Sequence, residues 1–554
     1  MKKPFTRRHL MLLAAATGLV SLAMPALATS QLIAATNPSA IPAQAKARKD
    51  TIVGAISAPQ GIFNPYLFSN GWDENVTEVI FGRLVGLDAQ GKPRAEQAES
   101  WQVSKDGLQY TLKLRKGLKF SDGSPFTADD VAFTLTFLHD PAYDGGTDIS
   151  LAKIKGGDAY KAGKASSVEG IKVLNPQTIQ ITVTEPGATT LQLIGGPVLS
   201  RAWYGRGYQP GKLDELRQYS SKPLGAGPYV YDKFIPGQEV RFHANPYYFA
   251  GKPAVPNFIY RITSDATKLQ LFQTGETDLE GFSINADNIE QLKSLGFANL
   301  NIYNASDYSL IEFNHNKPAL KDVRVRQALT YALDRKKVVD VVYQGYGSVA
   351  TLPLSPVSWA YDTKGVNPYN YDPAKAAALL EQAGWKLGSD GIREKGGQKL
   401  VVTLLATKSL LNDALIPIAK ESFKRVGVEL RPEVSDFNAL LAKRKAGNFD
   451  LATFRTSGLN DPHDGVARFR YTENEVGYKN AQVDKLINAG NATLDIGKRK
   501  AIYHQLYQVL ANDAPLILLA NRKLLYVNSS RIGNYQPDVF NGIFGSLPKL
   551  KIQY

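Results

Sequence analysis

Alternation and helical periodicity divide this chain into short, well-marked segments. Tyr110, Leu112 and Leu114 alternate with Gln109, Thr111, Lys113 and Arg115, which predicts a strand with one dry and one wet face, half of a hairpin. Gly117 and then Ser121-Asp122-Gly123 mark turns. Thr127 stands three residues before Asp130, a capping-box spacing that predicts the start of a helix carrying Val131, Phe133, Leu135 and Leu138. Strand-like runs recur at 51–56, 179–183, 239–242, 258–262, 310–313, 400–405, 428–430 and 525–527. Helical stripes fall at 131–138, 266–274, 323–333, 373–383, 413–426, 481–490 and 498–511. The alternation of the two kinds predicts an α/β protein whose sheets are covered by helices. At 554 residues the chain exceeds one compact core, so two or three units are expected.

The first 50 residues follow another pattern. Lys2, Lys3, Arg7 and Arg8 precede an uncharged stretch at 10–22 and the small-residue site Ala26-Leu27-Ala28, which predicts a secretory signal peptide over 1–28. Thr6-Arg7-Arg8-His9-Leu10-Met11 is similar to a twin-arginine export motif, leaving that route and general secretion both open. Residues 29–49, rich in Ala, Ser, Pro and Gln, read as a flexible lead-in. Beyond residue 28 no run is apolar for long enough to span a bilayer.

Composition removes several kinds of chemistry. There is no cysteine, hence no disulfide, thiolate nucleophile, thiolate zinc site or iron–sulfur cluster. The net charge is +14, but the 65 Lys and Arg are scattered among 51 acids without a basic run interleaved with aromatics, so no nucleic-acid partner is expected. None of the six histidines shares a helix-face spacing with another, and no H-E-x-x-H, G-x-S-x-G or P-loop sequence occurs. Gly345-Tyr346-Gly347 lacks the third glycine of a dinucleotide fingerprint. Asp461-Pro462-His463-Asp464-Gly465 lacks the alternating carboxylates of a calcium loop and reads as a turn. A hydrolase built on Asp461 and His463 would want a nucleophile and an orienting third group. No metal, cofactor or catalytic residue is therefore assigned.

What these segments spell, residue by residue, resembles a known family. Residues 98–137 (AESWQVSKDGLQYTLKLRKGLKFSDGSPFTADDVAFTLTF) are similar to the signature of the family 5 extracellular solute-binding proteins of peptide and nickel ATP-driven importers. Residues 225–249, 272–279, 313–345 and 371–392, with 499–515 and 532–537 near the end, resemble further family patterns in the same order, covering the chain from about residue 50 onward. The resemblance implies a two-lobed periplasmic-binding-protein type II-like fold with an inserted third subdomain and a hinged cleft. Lobe 1 would take 50–85, 222–307 and 525–554, the inserted subdomain 86–221, and lobe 2 308–524. The implied function is capture of an oligopeptide or peptide-like solute for an inner-membrane permease and its ATPase, by a monomeric periplasmic protein. Without a cysteine behind the leader, the lipid-anchored form of the family is excluded. A nickel chelate, haem, an opine or an oligosaccharide would suit the same transport class, and a chaperone-like binder of unfolded segments is a distinct alternative.

The resemblance also nominates a cleft. The loop after the first strand, with Asn64 and Tyr66, faces ligand in the family, and Tyr308 and Trp359 are further candidates. The stretch 453–464 (TFRTSGLNDPHD) stands where peptide-binding relatives carry an Asp that pairs with the peptide amine. Here Gly458 holds that position and Arg455 the position of a Trp, so Arg455, Thr456, Ser457, Gly458, Asn460 and Asp461 form an altered loop. Such a loop has lost an anion and gained a cation suited to a carboxylate. Asp461 either substitutes for the missing acid or caps the turn.

Overall fold

The computed structural model describes residues 30–553 apart from 69, 457–459 and 472–473; the expected signal peptide, Ser457 and Gly458 lie outside the described residues. One 13-stranded sheet runs through the molecule, and its organising element is the 14-residue strand Leu516–Ser529. The first half of that strand pairs with Ser309–Phe313, and beyond it lie Leu451–Arg455, Val401–Thr407 and Glu429–Ser435. Its second half pairs with Leu279–Phe282, followed outward by Thr51–Ile56, Asn257–Ile262, Glu239–Ala244 and Tyr229–Ile235, and with Ala298–Asn304, whose far edge takes Gln31–Ile33. With Ile41 and Ala45 buried as well, this N-terminal segment is part of the first half and not the flexible lead-in that its composition suggested. The two lobes are therefore two half-sheets that share one strand.

Each half buries its own core. Ile311, Phe313, Leu404, Phe423 and Ile517 belong to one cluster of the second lobe. Ile52, Tyr229, Phe242 and Phe258 belong to a cluster of the first. The predicted hairpin forms as Ala98–Val103 and Gln109–Leu114, inside a separate four-stranded sheet completed by Ile171–Asn175 and Thr178–Thr182. Tyr110, Leu112 and Leu114 are buried, each contributing roughly 1.5–3 kcal/mol. The helix Ala128–Leu138 starts on the capping box of Thr127 and Asp130. Among the described residues no helix is long and apolar enough to cross a membrane.

Two buried charge sites lie in the first half, and they differ in kind. Asp278 is fully buried but accepts from Val53 N at 2.9 Å and faces Arg48 at 2.9 Å and Arg531 at 3.1 Å, so its charge is compensated. Glu280, two residues along, is buried with its Oε1 accepting Gly281 N at 3.0 Å. Burial pushes its carboxyl up to about 7. The folded state thus holds a proton that the unfolded chain releases near pH 4.5, and stability linked to this group is gained as pH falls through 7. Glu280→Gln should stabilise the protein at pH 8 by on the order of 3 kcal/mol, with most of the advantage gone by about pH 5. Paired denaturant melts at the two pH values check this, and an equal difference at both would contradict it.

Candidate functional site

Strand direction decides where a site can form. Thr51–Ile56, Asn257–Ile262 and Leu279–Phe282 run parallel to one another and antiparallel to Leu516–Ser529, so their carboxyl ends point at the middle of that long strand. Val401–Thr407, Glu429–Ser435 and Leu451–Arg455 run in the opposite sense and also end at its middle. Open α/β sheets bind ligands in the crevice outside strand carboxyl ends. Here two such ends face each other across one crevice.

The loops leaving those ends carry most of the residues nominated from sequence. After Thr51–Ile56, Phe63 is wedged against Tyr231 and Phe234 at ring distances of 5.6 and 5.4 Å. Asn64 is buried and accepts Tyr66 N at 2.9 Å, and Tyr66 donates its hydroxyl to Pro197 O. After Leu451–Arg455, Thr456 is fixed against the crossing segment: its N–H donates to Tyr308 O at 3.0 Å and its Oγ1 accepts Tyr308 N at 3.1 Å. The Tyr308 ring is fully buried in a cluster with Leu310, Leu352 and Tyr507.

Asp461 caps the short helix Pro462–Val466, accepting His463 N at 2.8 Å, and a capping box forms with Asp464. It is also gripped by Arg499 through two hydrogen bonds of 3.0 and 2.6 Å, both side chains being 6 % exposed. The Arg499 guanidinium lies 5.1 Å from the centre of the Trp359 ring. Asp461 and Trp359, 102 residues apart in number, are thus brought together by a residue that the sequence reading did not single out as part of the site.

Arg455 stands apart from this knot. Its side chain is 58 % exposed, 4.0 Å from Asp307. Asp307 is already held by Arg522 at 3.1 and 2.6 Å. That pair ties the segment joining Ala298–Asn304 to Ser309–Phe313 onto the long strand, between the two half-sheets.

Between the lobes lies a cavity of about 1280 Å³. Pro65, Tyr66 and Asn460 line it; Tyr308, Trp359, Arg455 and Asp461 are not among its lining residues. The inserted subdomain meets the second lobe at its rim, where Ala188 N donates to Asn491 O at 2.8 Å. The helix Gly71–Phe81 contributes Glu74 and Glu78, joined by Arg83 and Glu96. Glu78 is ion-paired with Arg83. Burial raises the Glu78 carboxyl and the guanidinium pulls it back down, while Glu74 is raised by the same loss of solvent. Asp464 accepts the N–H groups of Asn460 and Asp461 at 3.1 and 2.9 Å, and burial pushes it up to about 6. None of Glu74, Glu78 or Arg83 was nominated from sequence; the i, i+4 spacing of the two glutamates on one helix face was the available signal. Among the described residues no group of three or more His, Asp or Glu side chains could hold a metal ion.

Comparison with known proteins agrees with this geometry. The model of the bacterial extracellular solute-binding proteins, family 5 (middle), matches residues 92–477. An oligopeptide-binding protein of Bacillus subtilis, AppA, is 28 % identical over 481 residues, covering 85 % of this chain and 86 % of its own. Heme-binding protein A of Haemophilus influenzae is 28 % identical over 503 residues, covering 87 % and 89 %. Among solved structures, the transporter substrate-binding protein CtaP of Listeria monocytogenes superposes with a TM-score of 0.78 at 24 % identity, over 91 % of this chain and all of that one.

Proposed function

Because the chain belongs to family 5 of the bacterial extracellular solute-binding proteins, we propose that it captures an oligopeptide or peptide-like solute between its lobes and delivers it to a membrane permease with its ATPase. The observation that carries this reading is the convergence of two sets of strand carboxyl ends on one crevice, with a cavity of about 1280 Å³ between the lobes. Small-molecule sites occupy roughly 300–1,000 Å³, so this volume suits a solute of several residues. Acids (Glu74, Glu78, Asp464) and bases (Arg83, Lys153) share the lining, as a zwitterionic chain requires. The relatives' names, an oligopeptide binder and a heme binder, mark how far the solute varies within one fold.

In this reading lobe 1 comprises 50–85, 222–307 and 525–554, with 86–221 inserted, and lobe 2 comprises 308–524. Tyr66 and Asn460 touch the solute. Asn64, Tyr308, Trp359, Thr456 and Asp461 hold the loops that bear it, and Arg455, with Ser457 and Gly458, reads a charged end. The protein acts as a monomer in the periplasm, exported by the leader at 1–28 and free of a lipid anchor, and it returns its solute unchanged. Mass spectrometry of small molecules released from protein isolated from its native periplasm tests this. Intact peptides or peptide conjugates are expected; a mixture of cleavage products, or no solute in any preparation, would contradict it.

A further inference from the structure

The loop that the sheet delivers into the crevice is tied down from behind. Asp73, the third residue of the helix Gly71–Phe81, is fully buried, and its Oδ1 accepts three consecutive backbone N–H groups, from Gln60 at 3.0 Å, Gly61 at 2.9 Å and Ile62 at 3.3 Å. A single anionic oxygen collecting three N–H groups is a charge-assisted clamp that no neutral side chain reproduces in strength. The turn it secures needs glycine: Gly61 has φ +93°, and a Cβ there would meet the Phe234 ring at 3.0 Å. From this anchor the chain passes through the wedged Phe63 and the Asn64 turn to Pro65 and Tyr66 on the cavity wall. The same helix turns Glu74 and Glu78 toward the cavity. One helix thus supplies both a wall of the site and the clamp that sets the neighbouring wall.

We infer that Asp73 is a positioning residue for solute capture, ordering the 60–66 loop before the solute arrives. It contacts the backbone and not the solute. An ordered loop does not lose conformational entropy on binding, and that saving appears directly as affinity. The inference rests on the reading that the cavity receives a peptide-like solute. A purely structural Asp73 would leave a different trace: its loss would lower the stability of the whole first lobe without changing the loop selectively.

Two readouts on the full chain separate these cases: amide hydrogen exchange resolved at 60–62, and retention of a synthetic pentapeptide mixture of randomised sequence. In Asp73→Ala the amides of Gln60, Gly61 and Ile62 should exchange at least about tenfold faster and pentapeptide retention should fall about tenfold, while the strand Thr51–Ile56 keeps wild-type protection. Asp73→Asn keeps an acceptor oxygen without the charge and should recover both readouts only in part. Gly61→Ala disturbs the loop without touching the carboxylate and should reproduce the loss of retention, which carries the test if Asp73→Ala does not fold. Unchanged exchange at 60–62, or faster exchange with full retention, overturns the positioning role. A wild-type protein that retains no pentapeptide overturns the peptide reading itself, and is told apart because the failure then appears before any substitution.

Discussion

Arg499→Ala is expected to lower the stability of the folded protein by roughly 3–5 kcal/mol, the cost of stranding one partner of a buried ion pair. The side chain does several things at once. It grips both oxygens of Asp461 at 3.0 and 2.6 Å, donates from Nε to Gly490 O at 3.0 Å, and lies over the rings of Trp359 and Tyr503 at 5.1 and 5.4 Å. Alanine leaves a buried carboxylate whose remaining support is the helix N-terminus it caps. Lysine supplies one point charge without the fork and should recover only part of the loss. The effect reaches function because Pro462–Val466, the helix capped by Asp461, carries His463 and Asp464 into the cavity lining. Solute affinity should therefore fall together with stability. Denaturant melts and calorimetry on the same preparations check both, and a loss under about 1 kcal/mol would mean that Asp461 is not held by this pair in solution.

Arg455→Ala is expected to weaken solute binding by about one to two powers of ten while leaving stability nearly unchanged. Asp307, the acid nearest to Arg455, is engaged by Arg522 on both oxygens, and the remaining approach of Arg455 is 4.0 Å with 58 % of its side chain exposed. An exposed contact of that kind contributes little to folding. A desolvated guanidinium on a carboxylate is another matter, at roughly 1.5–3 kcal/mol, which is the stated loss in affinity. The guanidinium projects from the carboxyl end of Leu451–Arg455, beside the segment that joins the half-sheets, where a solute carboxylate laid against it would desolvate it. Calorimetry with the solute released from native protein measures the change. Unchanged affinity would show that Arg455 serves only to face Asp307.

How much of this was legible beforehand depended on whether the signal was local. The run 51–56 was read to the residue because a buried parallel strand is apolar throughout. The capping box at Thr127 was read because four consecutive residues contain it. The long strand Leu516–Ser529 was seen only at 525–527, because its middle, Asn521-Arg522-Lys523, crosses between the half-sheets and answers to Asp307 instead of a core. The helix Phe437–Lys445 buries only Leu440 and so offers no stripe to detect. At the site, the two loops were legible through resemblance alone. The residues that fix them were not: Arg499 meets Asp461 across 38 positions and Asp73 meets Gln60 across 13, distances over which composition and periodicity carry no information.

A solute held between two lobes should draw them together, and small-angle scattering reads that change in dimensions. In this structure the lobes already touch, Ala188 N donating to Asn491 O at the edge of the cavity. Protein freed of solute should be measurably larger than this form, and adding back the released solute to saturation should shrink it to the dimensions of the structure, with a matching rise in melting temperature through linkage. Identical scattering profiles with and without saturating solute, despite binding seen by calorimetry, would contradict closure as the mechanism of capture.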